Sequence, residues 1–424
     1  MSKFELSIRL FFVILLFFSF SVCLPVSSQT VEITGSQTYG GSDLDDASTL
    51  LQTSDGGFAL AGSTESYDAG QSDAWLIKTY ANGTMQWSQT YGGSEGDYAS
   101  ALLQTSDGGF VLVGGTSYSG VDHPYDEAWL IKTDINGVMQ WNRTYEGFNI
   151  LSVLVQTSDG GFALAGTTLS DLEWPDILLM KTFANGTLQW NRTYGGSKGE
   201  QASALVQMSD GGFVLAGYTC SYGAGQSDAW LLKTDSNGFV LWDETYGGSD
   251  YDSASALVQI SDGGFAFAGD TYSYSAGRSD AWLVKTYANG TMQWNETYGG
   301  SSWDGAWALL QTSDGGFVLA GYTYSYGAGQ SDAWLLKTDS NGFVLWDETY
   351  GGSDYDSASA LVQISDGGFA FAGHTFSYGA GQSDAWLVRI NVTEKTGISG
   401  VIIISVLAII ILALRRGKQY TKDA

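Results

Sequence analysis

The chain has 424 residues, of which 45 are acidic and 18 are basic, so its formal net charge is −27. A charge of this sign repels phosphate backbones, which excludes nucleic acid as a favoured partner. Because 44% of the residues are hydrophobic, only 15% are charged and 57 are glycines, the composition indicates a folded, turn-rich domain and excludes a disordered chain.

The N-terminal residues 1–28 have the organisation of a secretory signal peptide. Lys3 and Arg9 precede an apolar stretch from Leu10 to Val22, and small residues follow shortly before Ser28. This pattern predicts export, with cleavage after Ser28. Once this segment is removed, Cys220 is the sole cysteine, so the mature chain has no pair for an intramolecular disulfide.

A strand-like stretch, Val31 to Tyr39, is followed by seven copies of one repeat. The pentapeptide Ser-Asp-Gly-Gly-Phe begins at Ser54, Ser106, Ser158, Ser209, Ser261, Ser313 and Ser365, at intervals of 51 or 52 residues. A period near 50 residues built from four short strands predicts a β-propeller blade.

Each repeat contains signals for two tight hairpins and for wide wedges between blades. Asp-Gly pairs such as Asp262-Gly263 and Asn-Gly pairs such as Asn289-Gly290 predict two-residue turns with positive φ at both central residues. Small residues in the first strand suit the crowded centre of a ring. The tryptophans of the third and fourth strands, Trp282 and Trp294 in the fifth repeat, are predicted to pack in the core.

A carboxylate stands just before the first strand of the blade in six of the seven repeats, at Asp45, Asp97, Glu200, Asp252, Asp304 and Asp356. A ring of carboxylates at the mouth of a central channel would attract cations, and Ca²⁺ is the candidate cofactor. In the alternative interpretation, each carboxylate caps its own turn by accepting bonds from backbone N–H groups. The same alternatives hold for the aspartates before Ala-Trp-Leu: Asp73, Asp228, Asp280, Asp332 and Asp384.

Departures from the repeat mark candidate binding residues, because a ligand site needs a unique set of side chains. The loop between the second and third strands is lengthened in the second repeat (121–127) and shortened in the third (170–176), while the sixth adds Trp303 and Trp307. Acidic groups beside aromatic ones suit a carbohydrate or a metal, although drift in a redundant scaffold produces the same pattern. The candidates are Asp122, His123, Tyr125, Asp126, Asp171, Glu173, Trp174 and Trp303.

One comparison within the chain favours binding over catalysis. Residues 209–269 and 313–373 are identical except at Cys220 and Tyr324, and His374 then replaces Asp270. Near-exact copying of a two-blade segment suits multivalent display better than a single active site.

The two ends of the repeat region are complementary. The last repeat has a third strand around Trp386 but no fourth strand, whereas Val31 to Tyr39 has no third strand before it. The N-terminal strand is therefore predicted to complete the last blade and close the ring.

The C-terminal residues resemble a membrane anchor. Residues 397–414 are uncharged and apolar, and Arg415, Arg416 and Lys418 follow. This order predicts a single-pass helix with the propeller outside the cell membrane and the C-terminus in the cytoplasm. The predicted organisation is a signal peptide (1–28), an all-β seven-bladed propeller (29–391), a linker (392–396), a transmembrane helix (397–414) and a basic tail (415–424).

Seven sequons for N-glycosylation are candidate modification sites of an exported chain. They are Asn82, Asn142, Asn185, Asn191, Asn289, Asn295 and Asn391. Turn chemistry alone explains the three that form the Asn-Gly hairpins, Asn82, Asn185 and Asn289.

The repeat resembles known propeller families. Its Gly-Phe-Val-Leu-Ala-Gly strand, its Lys-Thr-Asp-x-Asn-Gly turn and the following Leu-Trp or Gln-Trp are similar to blades of quinoprotein-like propellers, and its Gly-Gly pairs to kelch blades. More closely, it resembles the Ser-Asp-Gly-Gly-Phe repeat propellers of archaeal and bacterial surfaces, most of which have no assigned activity. A quinone-using dehydrogenase would be expected to add a cofactor-stacking disulfide, for which this sequence has no cysteine pair.

The sequence thus predicts a membrane-anchored, extracellular binding module, for adhesion or a surface layer, with a protein or carbohydrate ligand. A polysaccharide-acting enzyme and a scaffold for envelope assembly are the alternatives. No catalytic triad, zinc-ligand spacing or phosphate-binding loop is found in the sequence, and no catalytic residue is singled out.

Overall fold

A computed structural model describes residues 26–67, 70–117, 127–145, 148–168 and 174–397. Residues 32–391 form one compact unit, and the described residues 26–31 and 392–397 belong to a second unit. Most of the predicted signal peptide and all of the predicted membrane helix from residue 398 on lie outside the described residues. Within the described part, no helix has the length and hydropathy to cross a bilayer.

The described strands form seven four-stranded sheets, each of them one blade. Strand β1 is Val26–Tyr39. The strands of blades one to three are β2 Asp45–Gln52, β3 Phe58–Thr64, β4 Asp73–Thr79, β5 Met85–Tyr91; β6 Gly96–Gln104, β7 Phe110–Ser117, β8 Glu127–Thr133, β9 Met139–Tyr145; and β10 Phe148–Gln156, β11 Phe162–Thr168, β12 Ile177–Thr182, β13 Leu188–Tyr194.

Blades four to seven repeat this arrangement. Their strands are β14 Glu200–Gln207, β15 Phe213–Thr219, β16 Asp228–Thr234, β17 Val240–Tyr246; β18 Asp252–Gln259, β19 Phe265–Thr271, β20 Asp280–Thr286, β21 Met292–Tyr298; β22 Asp304–Gln311, β23 Phe317–Thr323, β24 Asp332–Thr338, β25 Val344–Tyr350; and β26 Asp356–Gln363, β27 Phe369–Thr375, β28 Asp384–Gly397. Strands within a blade pair antiparallel and in chain order, as in blade five.

The seventh blade confirms the predicted closure of the ring. Its strand order is β1-β28-β27-β26, so the N-terminal strand supplies the fourth strand of the last blade. Strand β1 begins at Val26, within the predicted signal peptide, and β28 includes residues 392–396, for which the sequence predicts a linker. The first strands of successive blades contact one another from β2 through β26 and back to β2, which places them innermost around the axis.

The third-strand tryptophans pack in the core, as predicted. Trp75 and Trp282 are fully buried, and their equivalents Trp129, Trp230, Trp334 and Trp386 nearly so. The fourth-strand tryptophans pack against the next blade, where Trp87 meets Phe110 and Trp294 meets Phe317 with ring centroids about 6 Å apart. Aromatic side chains therefore hold neighbouring blades together near the rim.

The hairpin turns differ from the prediction in one respect. In the described residues every residue with positive φ is a glycine, with φ of 88° at Gly263 and 86° at Gly290. The preceding Asp262 and Asn289 therefore do not have the left-handed conformation. The N–H of Gly263 bonds to the carbonyl of Ile260, and the N–H of Ile260 bonds to that of Gly264. The loop is thus one residue longer than the predicted two-residue turn and places only glycine at the left-handed position.

The tight-turn end of the ring carries one ion pair per blade. The aspartate of each Ser-Asp-Gly-Gly turn forms an ion pair with a third-strand lysine, as between Oδ2 of Asp107 and Nζ of Lys132 at 3.0 Å. In blade seven, Arg389 replaces the lysine. Hydrogen bonds from Thr105 and Lys132 lower the pKa of Asp107 to about 2. The turn aspartates at this end of the ring are therefore engaged in structural contacts.

Candidate functional site

The ring of predicted metal ligands is a set of buried turn caps. Asp304 accepts bonds from the backbone N–H groups of Gly300 at 2.8 Å and Ser325 at 3.3 Å, and from the hydroxyl groups of Thr323 and Ser325. The equivalent bonds from a glycine N–H and a threonine hydroxyl form at Asp45, Asp97, Glu200, Asp252 and Asp356. In the part of the chain that the structure describes, no three acidic, histidine or cysteine side chains are placed to hold a metal ion. The geometry favours the capping interpretation, and the calcium site stays a prediction.

The second set of acidic residues orders the loops between the second and third strands. Asp228 accepts bonds from the backbone N–H groups of Ala224 and Gly225, and Asp332 does the same for Ala328 and Gly329. Burial raises the pKa of Asp280, and the nearby Asp304 raises it further. These carboxylates hold the loops between the second and third strands in fixed positions. The loops lie at the same end of the ring as the connections between blades, and we call this end the long-loop face.

The loops that the sequence singled out are described only in part. Asp122, His123, Tyr125, Asp126, Asp171 and Glu173 lie outside the described residues. Trp174 is described, and 56% of its surface is exposed. The assignment of these two loops to a binding site therefore stays a prediction.

A run of exposed aromatic rings lies on the long-loop face of blades five to seven. We call it the aromatic belt and define it as Tyr251, Tyr272, Trp303, Tyr324, Tyr355 and Phe376, each between 37% and 50% exposed. Successive ring centroids are 5.8 Å apart from Trp303 to Tyr324, 6.3 Å from Tyr324 to Tyr355 and 6.2 Å from Tyr355 to Phe376. From Trp303 to Phe376 the rings thus form an unbroken aromatic surface that crosses the junction of blades six and seven, and Tyr251 and Tyr272 form a further pair in blade five, with ring centroids 6.1 Å apart.

The belt residues occupy two equivalent positions in each of blades five to seven. One precedes the first strand and the other follows the second strand, and a backbone hydrogen bond of 2.9 Å joins them, as between the N–H of Tyr324 and the carbonyl of Trp303. The same bond links Glu65 to Leu44 in blade one and Cys220 to Gly199 in blade four. The framework is therefore common to blades with and without aromatic residues at these positions.

A cleft of about 500 Å³ opens beside the belt at the junction of blades six and seven. Trp307 and Tyr322 form part of its wall with ring centroids 4.8 Å apart, and Ser357 and His374 lie in it with the Ser357 hydroxyl 3.1 Å from Nδ1 of His374. Burial lowers the pKa of His374, so its imidazole is neutral at pH 7. The cleft therefore combines aromatic walls with uncharged hydrogen-bonding groups, a combination typical of small-molecule sites.

A cationic side chain already contacts the belt. The guanidinium of Arg278 lies 4.0 Å from the ring centroid of Trp303. Arg278 therefore covers one face of the Trp303 ring, and the contact shows that this ring accepts a cation–π interaction.

Sequence reasoning found Trp303 and noted Trp307 but missed the other rings. Tyr272, Tyr324 and Phe376 belong to a Tyr- and Ser-rich loop that repeats in several blades, so no single copy departs from the pattern. A pair of positions could have identified the belt from the sequence. One position directly precedes the first-strand carboxylate and the other directly follows the last threonine of the second strand, and only blades five to seven have aromatic residues at both.

The predicted glycosylation sites have mixed roles. Six of the seven sequon asparagines are exposed and Asn191 is half-buried. The side-chain oxygens of Asn82, Asn185 and Asn289 each accept a bond from the backbone two residues on, as turn chemistry requires. Asn295 accepts a bond from the indole of Trp282. Modification at these sites stays a prediction.

Comparison with known proteins supports the fold and leaves the family open. No family model matches the sequence, and no curated protein matches it. The WD40 domain of Neurospora crassa Pan2 is 12% identical, with a TM-score of 0.52 over 84% of this chain and 95% of that domain. A protein of unknown function from Dyadobacter fermentans is 11% identical, with a TM-score of 0.47 over 86% of this chain and 99% of the other. The likeness to the WD40 domain shows the propeller fold alone.

Proposed function

We propose that this protein is a cell-surface binding module, anchored by its C-terminal segment, whose ligand binds to the aromatic belt of the long-loop face. The observation that supports it is the confinement of the belt to blades five to seven. Leu44 and Glu65 in blade one, and Gly199 and Cys220 in blade four, fill the same two positions with the same backbone bond. The fold does not require aromatic residues there, so the exposed rings are explained by a ligand.

The signal peptide and the basic tail predicted from the sequence complete the proposal. They support a location of the propeller outside the cell membrane, with a protein or a carbohydrate as the proposed ligand. The formal charge of −27 disfavours polyanionic partners. The sequence predicts that the loops around Asp122 and Asp171 also belong to this face, and replacement of Trp174 with Ala tests their contribution.

Binding to the envelope of the producing cells tests the proposal. The full-length chain, purified in detergent, is titrated with a washed envelope fraction, alongside the double variant Trp303→Ala/Tyr355→Ala. Loss of two contact rings is expected to weaken binding at least about tenfold. Tyr287→Ala is the matched control, since Tyr287 is also aromatic and 56% exposed but lies in a turn at the opposite end of blade five.

Binding that is equal in wild type and double variant, with all three proteins showing the same melting temperature, would contradict the belt as the binding surface. A ligand that also depends on Tyr287 would point to nonspecific adsorption. A role in envelope assembly predicts binding to envelope proteins, and protease treatment of the envelope fraction separates it from glycan binding.

A polysaccharide-acting enzyme is the second candidate, and one observation favours it. Burial raises the pKa of Asp270 to about 7, and this carboxyl lies in a cavity with Asp252. A carboxylic acid that stays protonated near neutral pH is what a general acid requires. Release of reducing ends from envelope polysaccharide that is lost in Asp270→Asn would support this candidate, and equal release by the variant would refute it.

A further inference from the structure

A second cavity on the long-loop face repeats the cleft of blades six and seven. It lies at the junction of blades four and five and has a volume of about 420 Å³. Tyr218, Tyr251 and Ser253 line it, and the residues 104 positions later, Tyr322, Tyr355 and Ser357, line the cleft between blades six and seven. The near-identical copies at 209–269 and 313–373 thus give two versions of one cavity.

The two cavities differ at a few positions that change their polarity. Ser203, Cys220 and Asp270 in the first correspond to Trp307, Tyr324 and His374 in the second. Burial raises the pKa of the Cys220 thiol, so this side chain is an unreactive neutral group. The first cavity is therefore the more polar one, and the second the more aromatic one.

Residues of the two cavities meet at Gly305 in blade six. Asp270 lines the first cavity and Tyr322 the second, and both pack against Gly305. A Cβ atom at Gly305 would collide with Oδ1 of Asp270 and lie 2.7 Å from Cε1 of Tyr322. The absence of a side chain at Gly305 lets these two residues lie close together, so the two cavities adjoin on the long-loop face, one lined by Tyr251 and the other by Phe376.

We propose that this face forms one groove over blades four to seven and that the groove binds an uncharged polysaccharide chain, with sugar units in both cavities. The inference rests on the proposed function and specifies its ligand. Two copies of one cavity in a single groove suit a ligand that itself repeats. Tyrosine, tryptophan and phenylalanine rings supply flat apolar surfaces for the C–H faces of pyranose rings, and hydroxyl groups of serine and tyrosine are available for the sugar hydroxyls.

The charge of the protein favours an uncharged polysaccharide over an acidic one. The net charge of −27 opposes an acidic polysaccharide, and the described residues that line the second cavity carry no formal charge when His374 is neutral. An uncharged chain meets no such repulsion. A basic peptide is the competing ligand, because cation–π contacts such as that of Arg278 on Trp303 suit it.

Oligosaccharides of increasing length test the proposal. The full-length protein is titrated with glucose-, mannose- and N-acetylglucosamine-based oligomers from one to eight units and, separately, with hexa-arginine, and tryptophan fluorescence and calorimetry are recorded. For one sugar series, affinity is expected to rise more than about tenfold from the shortest to the longest oligomer, because the second cavity is then filled intramolecularly. This binding is expected to be insensitive to salt.

The repeat supplies matched variants that preserve the fold. Tyr324→Cys converts the second copy of the 61-residue segment into the first, and Cys220→Tyr does the reverse, so each variant segment has a sequence that already exists elsewhere in the chain. Under reducing conditions, Tyr324→Cys is expected to weaken binding of the longest oligomer about tenfold, and Cys220→Tyr is expected to strengthen it. Equal melting temperatures check that both variants are folded.

Three outcomes overturn the inference. Binding of none of the oligosaccharides refutes the ligand class, and if the envelope fraction still binds in a belt-dependent manner, the proposed function survives alone. Salt-sensitive binding of hexa-arginine without oligosaccharide binding assigns the groove to a basic peptide. Oligosaccharide binding that neither exchange at positions 220 and 324 alters places the sugar elsewhere on the protein.

Discussion

The indole Nε1–H of Trp386 donates a hydrogen bond of 2.9 Å to Oγ of Ser36, a residue 350 positions earlier in the chain. In blades four and six, the equivalent tryptophans, Trp230 and Trp334, donate to Asp243 and Asp347 on the fourth strand of their own blade. Ser36 therefore occupies the same fourth-strand position in blade seven, which shows that the N-terminal strand has the register of an ordinary blade strand.

Loss of this strand is expected to cost much more stability than loss of its one side-chain bond. Replacement of residues 32–38 by a Gly-Ser sequence of equal length exposes the edge of β28 and removes the closure of the ring, with an expected loss of more than about 4 kcal/mol. The control Ser36→Ala removes only the bond to Trp386 and should cost about 1 kcal/mol. Chemical denaturation measures both, and similar midpoints for the replacement and the wild type would contradict the closure.

The tyrosine at the end of each fourth strand gives a second test of the closure of the ring at blade seven. The hydroxyl of Tyr298 donates a bond of 2.7 Å to the carbonyl of Gly342 in the Asn-Gly turn of the next blade. The hydroxyl of Tyr350 is buried and has no hydrogen-bond partner among the described residues, because the third and fourth strands of blade seven are not joined by such a turn.

The change of each tyrosine to phenylalanine is expected to separate the two cases. Tyr298→Phe leaves the Gly342 carbonyl without its partner and should cost about 1–2 kcal/mol. Tyr350→Phe removes a hydroxyl that is buried without a bond, so the free energy of unfolding should stay the same or rise slightly. An equal loss in the two variants, measured by denaturant titration, would show that Tyr350 is bonded in solution.

The fold was accessible from the sequence because its signals are local and repeated. Ser-Asp-Gly-Gly marks one hairpin seven times, and the missing fourth strand at Trp386 matched the unpartnered strand ending at Tyr39. The φ angle of Asp262 was predicted wrongly, because the same Asp-Gly pair serves both a two-residue turn and the longer loop found here. Only the hydrogen bond between Ile260 and Gly264 distinguishes them.

The candidate site was only partly accessible. Trp303 departs from the repeat and was found, but its neighbours Tyr324 and Tyr355 fit the repeat and were overlooked. The belt is built across blades, from residues that are separated in the chain but adjacent at each junction. When the repeats are compared position by position, a residue that differs between repeats is detected. The comparison does not show which positions of neighbouring blades lie side by side in the fold.

The pH dependence of stability should depend on Asp270. Desolvation raises the pKa of this carboxyl from 3.8 to about 7 in the folded state. A raised pKa means that the contribution to stability is fully present below the unfolded value near 3.8 and is lost as the pH rises through 7. Asp270→Asn removes this titration while its side-chain oxygen still accepts the bond from the N–H of Ala306.

The variant is therefore expected to match the wild type near pH 3.5 and to melt a few degrees higher at pH 8. Differential scanning calorimetry from pH 3.5 to 8 measures the difference between the two melting temperatures. Asp354→Asn is the control, because Asp354 is exposed on the same face. A difference that stays constant across this range would show that burial does not raise the pKa of Asp270.

The buried carboxylates decide between turn caps and a cation site. Asp304 accepts bonds from the N–H of Gly300 and from the hydroxyl of Ser325 at 2.8 and 2.6 Å, so Asp304→Asn brings an amide donor toward groups that already donate. The capping role predicts a loss of about 1–3 kcal/mol in the variant, with or without calcium.

A cation site predicts that calcium raises the melting temperature of the wild type by mass action and that chelator lowers it. Under the cation interpretation the variant would lose the calcium response and gain stability in chelator, because removal of one charge relieves repulsion among the remaining carboxylates. We expect neither protein to respond to calcium or chelator, and a wild-type melting temperature that rises with calcium would overturn the capping role.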